Sequence, residues 1–480
     1  MIVSIVQNNK RMEISYIQKD GNLSIMNIDV PAKEMFGYEY ANKQKSKYLE
    51  GWKSWDEQPV RKVPAKTLDK HRIQEYFMDN EEVLAPLFEQ NTPNLFACDI
   101  EVEVTDDGFP DPESARNKIT AIAVSYFPHV VVWGCKPLNK EEQQFVENEM
   151  NSHLKDVSAP YKLMYKYFEN EAEMLENFLK TCVRKVPLLT GWNFWGYDWM
   201  YICNRAKKLN VDISICSPTG EMRNFRFDDK RGKKTISIPQ HKLIVDYMKI
   251  YEKWDRTVKI KENSTLNFVA ESALGIKKIN YPGTLKELFI KDYLLYIAYN
   301  AVDTIIVELL DKKLKTMGTF LGLGNLTRVE ALTAFSPINM CESTLTRYAY
   351  PKQIVFPKRE NNSVSQQYEG ALVHDPKPGM YKLVASLDYA SLYPSLQRQF
   401  NISIENFLFK DKDYIPKEDE KVIKCASGAV FKNDKQYLLP EMLTDFYNKR
   451  KDAKKIAKKA EHDYHELERI YKERVTAASV

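Results

Sequence analysis

The stretch that decides the fold is FACDIEVEV, residues Phe96 to Val104. Its apolar residues alternate with Asp99, Glu101 and Glu103. Because successive side chains of a strand point to opposite faces, the three acids share one face, where like charges repel one another. The pattern is typical of an edge strand with a solvated acidic face, and equally of a strand that presents carboxylates to a metal ion.

The bulk composition excludes several classes of protein. The chain has 480 residues and 44% hydrophobic residues, so we expect about three globular domains. Its net charge of +4 is small against 70 basic and 66 acidic residues, so contact with nucleic acid would have to come from local clusters. The seven cysteines show no zinc spacing, and we find neither a signal peptide nor an apolar run of membrane length. The composition predicts an intracellular protein with reduced thiols.

The hydrophobic patterns divide the chain into regions. Short alternating runs in residues 1–93 indicate a small α+β domain. From residue 95, three strands are followed by an amphipathic helix and another strand, which predicts a sheet covered by helices. We also predict a hairpin at 224–239, a strand LVASLD that ends at Asp388, and a long basic helix at the end of the sequence. The fold class is therefore multidomain, α/β and α+β.

Two further acids lie in apolar surroundings. Asp198 stands among aromatic residues where a helix begins, and Asp303 lies on an apolar helix with Tyr299 four residues earlier on the same face. A desolvated carboxylate costs free energy unless something neutralises it. Asp198 could cap its helix, and Asp303 could pair with a lysine. Together with Asp99 and Glu101, however, they make a set of oxygen ligands that suits Mg²⁺ or Mn²⁺.

The order and context of these four acids resemble the three exonuclease motifs of the DEDD superfamily, in its tyrosine-bearing branch. The resemblance implies a ribonuclease H-like domain that shortens DNA from the 3′ end with two Mg²⁺ or Mn²⁺ ions per site. Asp99 would bridge both ions, and Glu101 and Asp303 would complete one of them. Asp198 would support the other ion, and Tyr299 would orient the attacking water. The third acid of the opening strand would be a surface residue.

A second resemblance is carried by SLDYASLYPSLQRQFNIS, residues 386–403. A strand that ends at Asp388 and turns into a helix offers a carboxylate to a metal and backbone N–H groups to a triphosphate. The string resembles motif A of family B DNA polymerases. The resemblance implies that Asp388 holds both catalytic metals and that Ser391, Leu392 and Tyr393 bind the incoming nucleotide. Tyr393 would pack under the sugar and exclude a 2′-hydroxyl.

Three further segments carry the same resemblance. YEGALV, residues 368–373, resembles the segment between the exonuclease and polymerase regions, and GFPDP, residues 108–112, points to the T-even bacteriophage type. On the last helix, Arg450, Lys454 and Lys458 recur every four residues and form a basic stripe. Such runs are usually solvated faces. YNKRKDAKK nevertheless resembles the first fingers helix, which implies that Arg450 and Lys454 bind the dNTP triphosphate.

The resemblance also implies a domain division and a set of partners. It places an N-terminal domain at 1–93 and 315–359, a 3′ to 5′ exonuclease domain at 94–314, the first part of the palm at 360–437, and the fingers, as a single long helix, at 438–480. The ligands would be primer-template DNA, single-stranded DNA and dNTPs. The protein would work in the cytoplasm of an infected bacterium, without membrane contact.

Motifs B and C and the thumb of the family do not occur in this sequence. Template-directed synthesis is therefore expected only with a second, C-terminal chain that supplies them, and contact with a sliding clamp would come through that part. Either the sequence is a piece of a longer polymerase or the polymerase is encoded as two polypeptides. We favour the second interpretation, because a deliberate cut would fall more naturally at a domain edge, whereas a break in the projecting fingers is well tolerated. Two alternatives stay open: a stand-alone 3′ to 5′ exonuclease and a non-catalytic scaffold that binds primer-template DNA.

Overall fold

The structure, a computed structural model, describes residues 1–41, 48–105, 108–229, 232–255, 263–357, 374–389 and 391–478. The strands in these residues are β1 Ile2–Asn8, β2 Arg11–Ile17, β3 Leu23–Asp29, β4 Phe36–Tyr40, β5 Lys53–Ser54, β6 Val60–Pro64, β7 Leu95–Val102, β8 Ile119–Tyr126, β9 His129–Gly134, β10 Lys162–Tyr167, β11 Leu188–Gly191, β12 Met222–Asp229, β13 Gly232–Pro239, β14 Leu243–Asp246, β15 Ile354–Val355, β16 Phe407–Lys410, β17 Val422–Lys424 and β18 Ala429–Lys432.

The α-helices are numbered in chain order. Their bounds are α1 Lys70–Asp79, α2 Glu81–Phe88, α3 Lys140–Leu154, α4 Glu171–Phe178, α5 Asp198–Lys208, α6 Tyr247–Trp254, α7 Leu266–Leu274, α8 Leu285–Lys291, α9 Tyr293–Leu314, α10 Thr316–Leu326, α11 Pro337–Ala349, α12 Leu392–Gln399 and α13 Leu438–Ala478.

The chain divides into two compact units. The first unit comprises Met1–Glu34 and Asp79–Cys341, and the second comprises Met35–Met78 and Glu342–Val480. The four domains implied by the sequence are finer than this division and stay a prediction.

A six-stranded sheet organises the first unit. Its order is β10-β9-β8-β7-β11-β14, and β8 runs antiparallel to β7 and β9 while the other neighbouring pairs are parallel. Asp99 on β7 pairs with Ala123 on β8, and Glu101 pairs with Ala121. Residues paired across strands share a face. The small alanines therefore leave room on the face of the sheet where the two acids lie.

Helix α9 packs against β7 and β8. By length and composition it could span a membrane, contrary to the sequence-based expectation, but 78% of its most apolar 18-residue window is buried. A helix that is apolar all round is typical of a buried core position. Burial in the first unit accounts for its composition.

An ion pair ties α5 to α4 beside the sheet. The Arg205 guanidinium donates to both carboxylate oxygens of Glu171, over 2.8 Å from Nε and 2.6 Å from Nη2. Glu171 also accepts a hydrogen bond from the backbone N–H of Ile119, the first residue of β8. Since the Glu171 side chain is only 8% exposed, its charge depends on this one cation.

Substituting Arg205→Ala should lower the free energy of unfolding by about 3 to 5 kcal/mol, because the Glu171 carboxylate would stay buried without its cation. Urea unfolding followed by tryptophan fluorescence measures the change. The matched control is Lys207→Ala on the same helix, which is exposed and should change stability by no more than about 0.5 kcal/mol. Equal losses in the two variants would contradict the interpretation.

The second unit contains small sheets and α13. Leu438 and Met442, near the start of α13, pack in a core with Leu345, Ala349 and Ile354. The Arg398 guanidinium of α12 lies 4.1 Å above the Tyr447 ring. From residue 448 onwards nearly every described side chain of α13 is exposed.

Two sequence predictions have clear structural outcomes. The predicted hairpin is confirmed, since β12 and β13 pair antiparallel from Met222 opposite Pro239 to Asp229 opposite Gly232. The predicted strand LVASLD is wrong, because residues 381–389 form no strand. A strand needs a neighbour for its N–H and C=O groups, and no strand in the described part of the chain pairs with this segment.

Candidate active site

The opening strand and α9 bring three acids together. Asp99, Glu101 and Asp303 each offer one carboxylate oxygen, and these oxygens lie within 4.8 Å of one another. Alternation along β7 places the first two on one face, and α9 crosses that face. Glu101 and Asp303 are buried, and Asp99 is half-buried. The carboxylates are held close despite their like charges.

Asp198 contacts the same strand. It is the first residue of α5, and its Oδ1 accepts a hydrogen bond of 3.1 Å from the backbone N–H of Ile100, which lies between the two acids of β7. The side chain therefore bonds to the backbone of the strand. Gly191, at the end of β11, allows the backbone of β11 to lie close to that of β7, because a Cβ there would lie 2.4 Å from the Cys98 carbonyl oxygen.

Lys278 joins the site although sequence reasoning did not single it out. Its Nζ donates to Asp303 Oδ2 over 2.5 Å and to the Tyr299 hydroxyl over 3.2 Å. The alternative that Asp303 pairs with a lysine is therefore seen here, inside the cluster of acids. Lys278 lies in a loop without hydrophobic periodicity, so no signal in the sequence could have identified it beyond the need of Asp303 for a cation.

Two buried oxygens at the site have no partner among the described residues. They are Asp303 Oδ1 and Asn300 Oδ1. The amide nitrogen of Asn300 donates to Asp99 Oδ2 over 2.8 Å and so fixes that carboxylate. A buried carboxylate oxygen without a donor is costly. The unpartnered Asp303 Oδ1, which belongs to a cluster of carboxylates, fits a divalent cation, because such cations prefer oxygen ligands.

Burial and mutual repulsion change the acidity of the cluster. Burial, with the charge of Asp303, raises the pKa of Asp99 to about 7. Burial and the charge of Asp99 raise the pKa values of Glu101 and Asp198 well above the ordinary range. Burial also raises the pKa of Asp303, although Lys278 opposes the change. The cluster therefore cannot ionise fully at neutral pH without added positive charge.

The acids line a cleft of about 330 Å³ together with Phe109, Trp192 and Tyr299. An adjoining cleft of about 830 Å³ shares the first two of these side chains and extends to Lys234 and Lys249. Gly108–Pro112, the GFPDP segment, thus borders the site. The two clefts offer apolar and aromatic walls, a cluster of carboxylates and several lysines.

The remaining predicted residues lie in the second unit. Asp388 and Tyr393 are exposed, as are Arg450 and Lys454 on α13. Ser391, with φ of 54°, and Leu392 are the residues at which α12 begins. In the described part of the chain, Asp388 belongs to no group of side chains that could hold a metal. The YEGALV segment lies outside the described residues, and Glu103 is exposed, as the sequence predicted.

Comparison with known protein families gives two matches. The exonuclease-domain model of DNA polymerase family B matches residues 51–269, and the model of DNA polymerase family B matches residues 336–478. The first range contains Asp99, Glu101 and Asp198. The second contains Asp388 and the basic stripe of α13.

Curated relatives point the same way. The chain is 29% identical over 385 residues to the DNA-directed DNA polymerase of Escherichia phage RB69, covering 74% of this chain and 42% of the relative. It is 28% identical over 385 residues to the DNA-directed DNA polymerase of Enterobacteria phage T4, covering 75% of this chain and 42% of the relative. It is 30% identical over 316 residues to the DNA polymerase delta catalytic subunit of Schizosaccharomyces pombe, covering 61% of this chain and 28% of the relative. The chain thus spans less than half the length of these relatives.

Proposed function

The chain belongs to DNA polymerase family B, and from this membership we propose that its carboxylate cluster is a 3′ to 5′ exonuclease site. The observation that carries the proposal is the convergence of Asp99, Glu101 and Asp303 within 4.8 Å, in a cleft also lined by Asp198 and Tyr299. A mixed sheet whose central strand carries two of the acids, covered by helices that carry the others, supports a ribonuclease H-like domain.

We propose that Asp99, Glu101, Asp198 and Asp303 hold two Mg²⁺ or Mn²⁺ ions. The orphaned oxygen of Asp303 supports this assignment. Such ions, when bound, lower the pKa of an attacking water and stabilise the leaving oxygen of a phosphodiester. Asn300 contributes by holding Asp99 Oδ2 in a fixed orientation.

Tyr299 and Lys278 supply hydrogen-bond donors beside the acids. Burial and the charge of Asp303 raise the pKa of Tyr299 above its ordinary value, so the hydroxyl keeps its proton and can orient a water or a phosphate oxygen. Burial lowers the pKa of Lys278, but the charge of Asp303 and its neighbours outweighs burial and raises it. Lys278 therefore stays an ammonium that can compensate charge developing on a scissile phosphate.

The adjoining cleft suits single-stranded DNA. Phe109 is 77% exposed and lies beside the Tyr197 ring, with 5.4 Å between the ring centroids, so it offers a surface on which a base can stack. Lys249 lines the same cleft and can attract the DNA backbone, whereas Lys234 there is paired with Glu113 and Asp229. We propose that the hairpin of β12 and β13 helps to part the primer end from the template.

The test is incubation of the chain with Mg²⁺ and 5′-labelled single-stranded DNA. We expect a ladder of products shortened from the 3′ end, and none when EDTA replaces Mg²⁺. DNA that stays at full length with Mg²⁺ or Mn²⁺ would refute the proposal and favour the non-catalytic scaffold. All the acids of the site lie in the first unit, so shortening should not require another chain. A stand-alone exonuclease would give the same result.

For the second unit we propose part of a polymerase. Asp388 would hold metal, and the nucleotide-binding residues would be Ser391, Leu392, Tyr393, Arg450 and Lys454. Ile456, Tyr464, Leu467 and Tyr471 on α13 are at least 64% exposed, and their spacing of three to eight residues places them along one side of the helix. An exposed apolar stripe of this kind marks an interaction site.

We propose that a second chain with motifs B and C and the thumb covers this stripe and, with the present chain, extends primer-template DNA from dNTPs. A sliding clamp would bind through that second chain, and the complex would replicate phage DNA in the bacterial cytoplasm. The four-domain division implied by the sequence belongs to the same proposal.

The thermal stability of the protein should depend jointly on pH and Mg²⁺. Raised pKa values of Asp99, Glu101 and Asp198 mean that the metal-free folded state binds more protons than the unfolded chain. Its stability therefore falls as pH rises from the ordinary carboxyl range through about 7. Because Mg²⁺ replaces these protons, the increase in Tm that it causes should grow between about pH 6 and about pH 8.

Differential scanning fluorimetry in Mg²⁺ and in EDTA measures that increase. The double variant Asp99→Asn, Glu101→Gln is the control and should lose most of it. An increase that is independent of pH, or that persists in the variant, would mean that Mg²⁺ binds elsewhere.

A further inference from the structure

One peptide group in the Lys278 loop is held from both edges. The His153 Nε2 atom of α3 lies 2.7 Å from the Lys277 carbonyl oxygen. The Asn267 Oδ1 atom of α7 accepts a hydrogen bond of 3.0 Å from the Lys278 backbone N–H. That carbonyl and that N–H belong to the same planar peptide. Side chains from two helices therefore hold one peptide plane, which we call the peptide clamp.

The chemistry of the clamp fixes the state of both side chains. A carbonyl oxygen can only accept, so His153 Nε2 must carry a proton and donate it. Asn267 must present its amide oxygen to the N–H, which fixes the orientation of its side-chain amide. Neither residue is an acid or a direct neighbour of the carboxylate cluster. Their hydrogen bonds to the loop are made to its backbone, and Asn267 also lines the adjoining cleft with Lys278.

The held plane sets the direction of the Lys278 side chain. The Lys278 Cα is bonded to the clamped peptide, and the side chain runs from there to Asp303 Oδ2 and the Tyr299 hydroxyl. A lysine loses much rotamer freedom when its ammonium is fixed. A fixed peptide plane fixes the direction in which the side chain leaves Cα. Fewer side-chain conformations then compete with the one that brings the ammonium to its two partners. Residues 276–283 form neither helix nor strand, so no regular backbone hydrogen bonding fixes that peptide plane.

We propose that His153 and Asn267 are positioning residues of the exonuclease site, which hold the Lys277–Lys278 peptide so that the Lys278 ammonium meets Asp303 and Tyr299. The proposal rests on the exonuclease function proposed above. It extends the site to two helices, α3 and α7, that supply none of its acids.

Removing either side of the clamp should slow the reaction more than it weakens DNA binding. We expect His153→Ala and Asn267→Ala each to lower kcat for 3′ shortening by about tenfold, with little change in KM for His153→Ala, because displacement of a catalytic group costs rate in this range. His153→Gln keeps a donor and Asn267→Asp keeps an acceptor, so both should retain most activity. Gln144→Ala, an exposed change on α3, is the matched control.

Double variants separate positioning from a general structural role. If the clamp acts through Lys278, adding His153→Ala or Asn267→Ala to Lys278→Ala should cause no further loss of kcat. Losses that multiply in the double variants would show that the clamp residues act independently of Lys278 and would overturn the proposal.

A second measurement needs no nuclease activity. The Lys278 side chain is 30% exposed and has two partners, so acetylation by an N-hydroxysuccinimide ester should modify it slowly. Mass spectrometry should show faster acetylation of Lys278 in both alanine variants, relative to exposed Lys140. Unchanged acetylation would overturn the clamp. If the wild-type chain shortened no DNA, the exonuclease proposal would fail, while acetylation would still decide whether the clamp holds Lys278.

Discussion

The double variant Asp99→Asn, Glu101→Gln is expected to lose 3′ shortening of single-stranded DNA by at least about a thousandfold in kcat, or about 4 kcal/mol of transition-state stabilisation. Amides keep the shape of the two side chains but remove two anionic ligands from a cluster whose oxygens lie within 4.8 Å. The fold should survive, because removing buried like charges relieves repulsion. Single-turnover assays with labelled DNA measure the rate.

The opening stretch of sequence also provides the control. Glu103 is the third acid of the opening stretch and is exposed, so Glu103→Gln makes the same chemical change just beyond the end of β7. We expect it to leave the rate unchanged. If the double variant still shortened DNA, the carboxylate cluster would not be the site. If Glu103→Gln were equally inactive, the loss would reflect the strand rather than the cluster.

Primer extension is expected to appear only when a second polypeptide is added. Among the described residues no strand pairs with the segment that holds Asp388, and Leu383 and Leu387 are fully exposed. Because a lone carboxylate binds divalent cations weakly, the isolated chain should not build a two-metal centre around Asp388. A polypeptide that carries the remaining conserved motifs of a family B polymerase should supply the missing ligands. Gel assays on primer-template DNA with dNTPs, with and without that polypeptide, measure extension.

Asp388→Asn is the matched variant for this second experiment. It should abolish extension by the mixture and leave shortening by the chain intact, the reverse of the exonuclease double variant. Extension by the isolated chain, or by a mixture that contains Asp388→Asn, would contradict the assignment of the second unit.

Local sequence patterns predicted the site residues that lie at regular spacing on one strand or one helix. Alternation placed Asp99 and Glu101 together on β7, and helical spacing placed Tyr299 and Asp303 on one side of α9. Lys278 could not be predicted, because it meets Asp303 only through tertiary packing of an irregular loop. His153 and Asn267 are further still from any local pattern, since they act on a peptide group and not on each other.

The errors have the same physical origin. LVASLD has the composition of a strand, but composition cannot provide the neighbour that satisfies its backbone, and no described strand does so. Helix α9 has a composition that would also suit a membrane, and only its position beneath other elements distinguishes the two cases. Sequence patterns predicted which faces are apolar and left open what covers them.

The exposed segment around Leu383 and Leu387 should affect how much of this protein accumulates in a cell. Unpaired apolar chain is readily bound by chaperones and cut by proteases. If the proposed second chain also covers this segment, copies made in excess of that chain should be short-lived, and copies bound to it should persist. The supply of the second chain would then set how much of this chain accumulates.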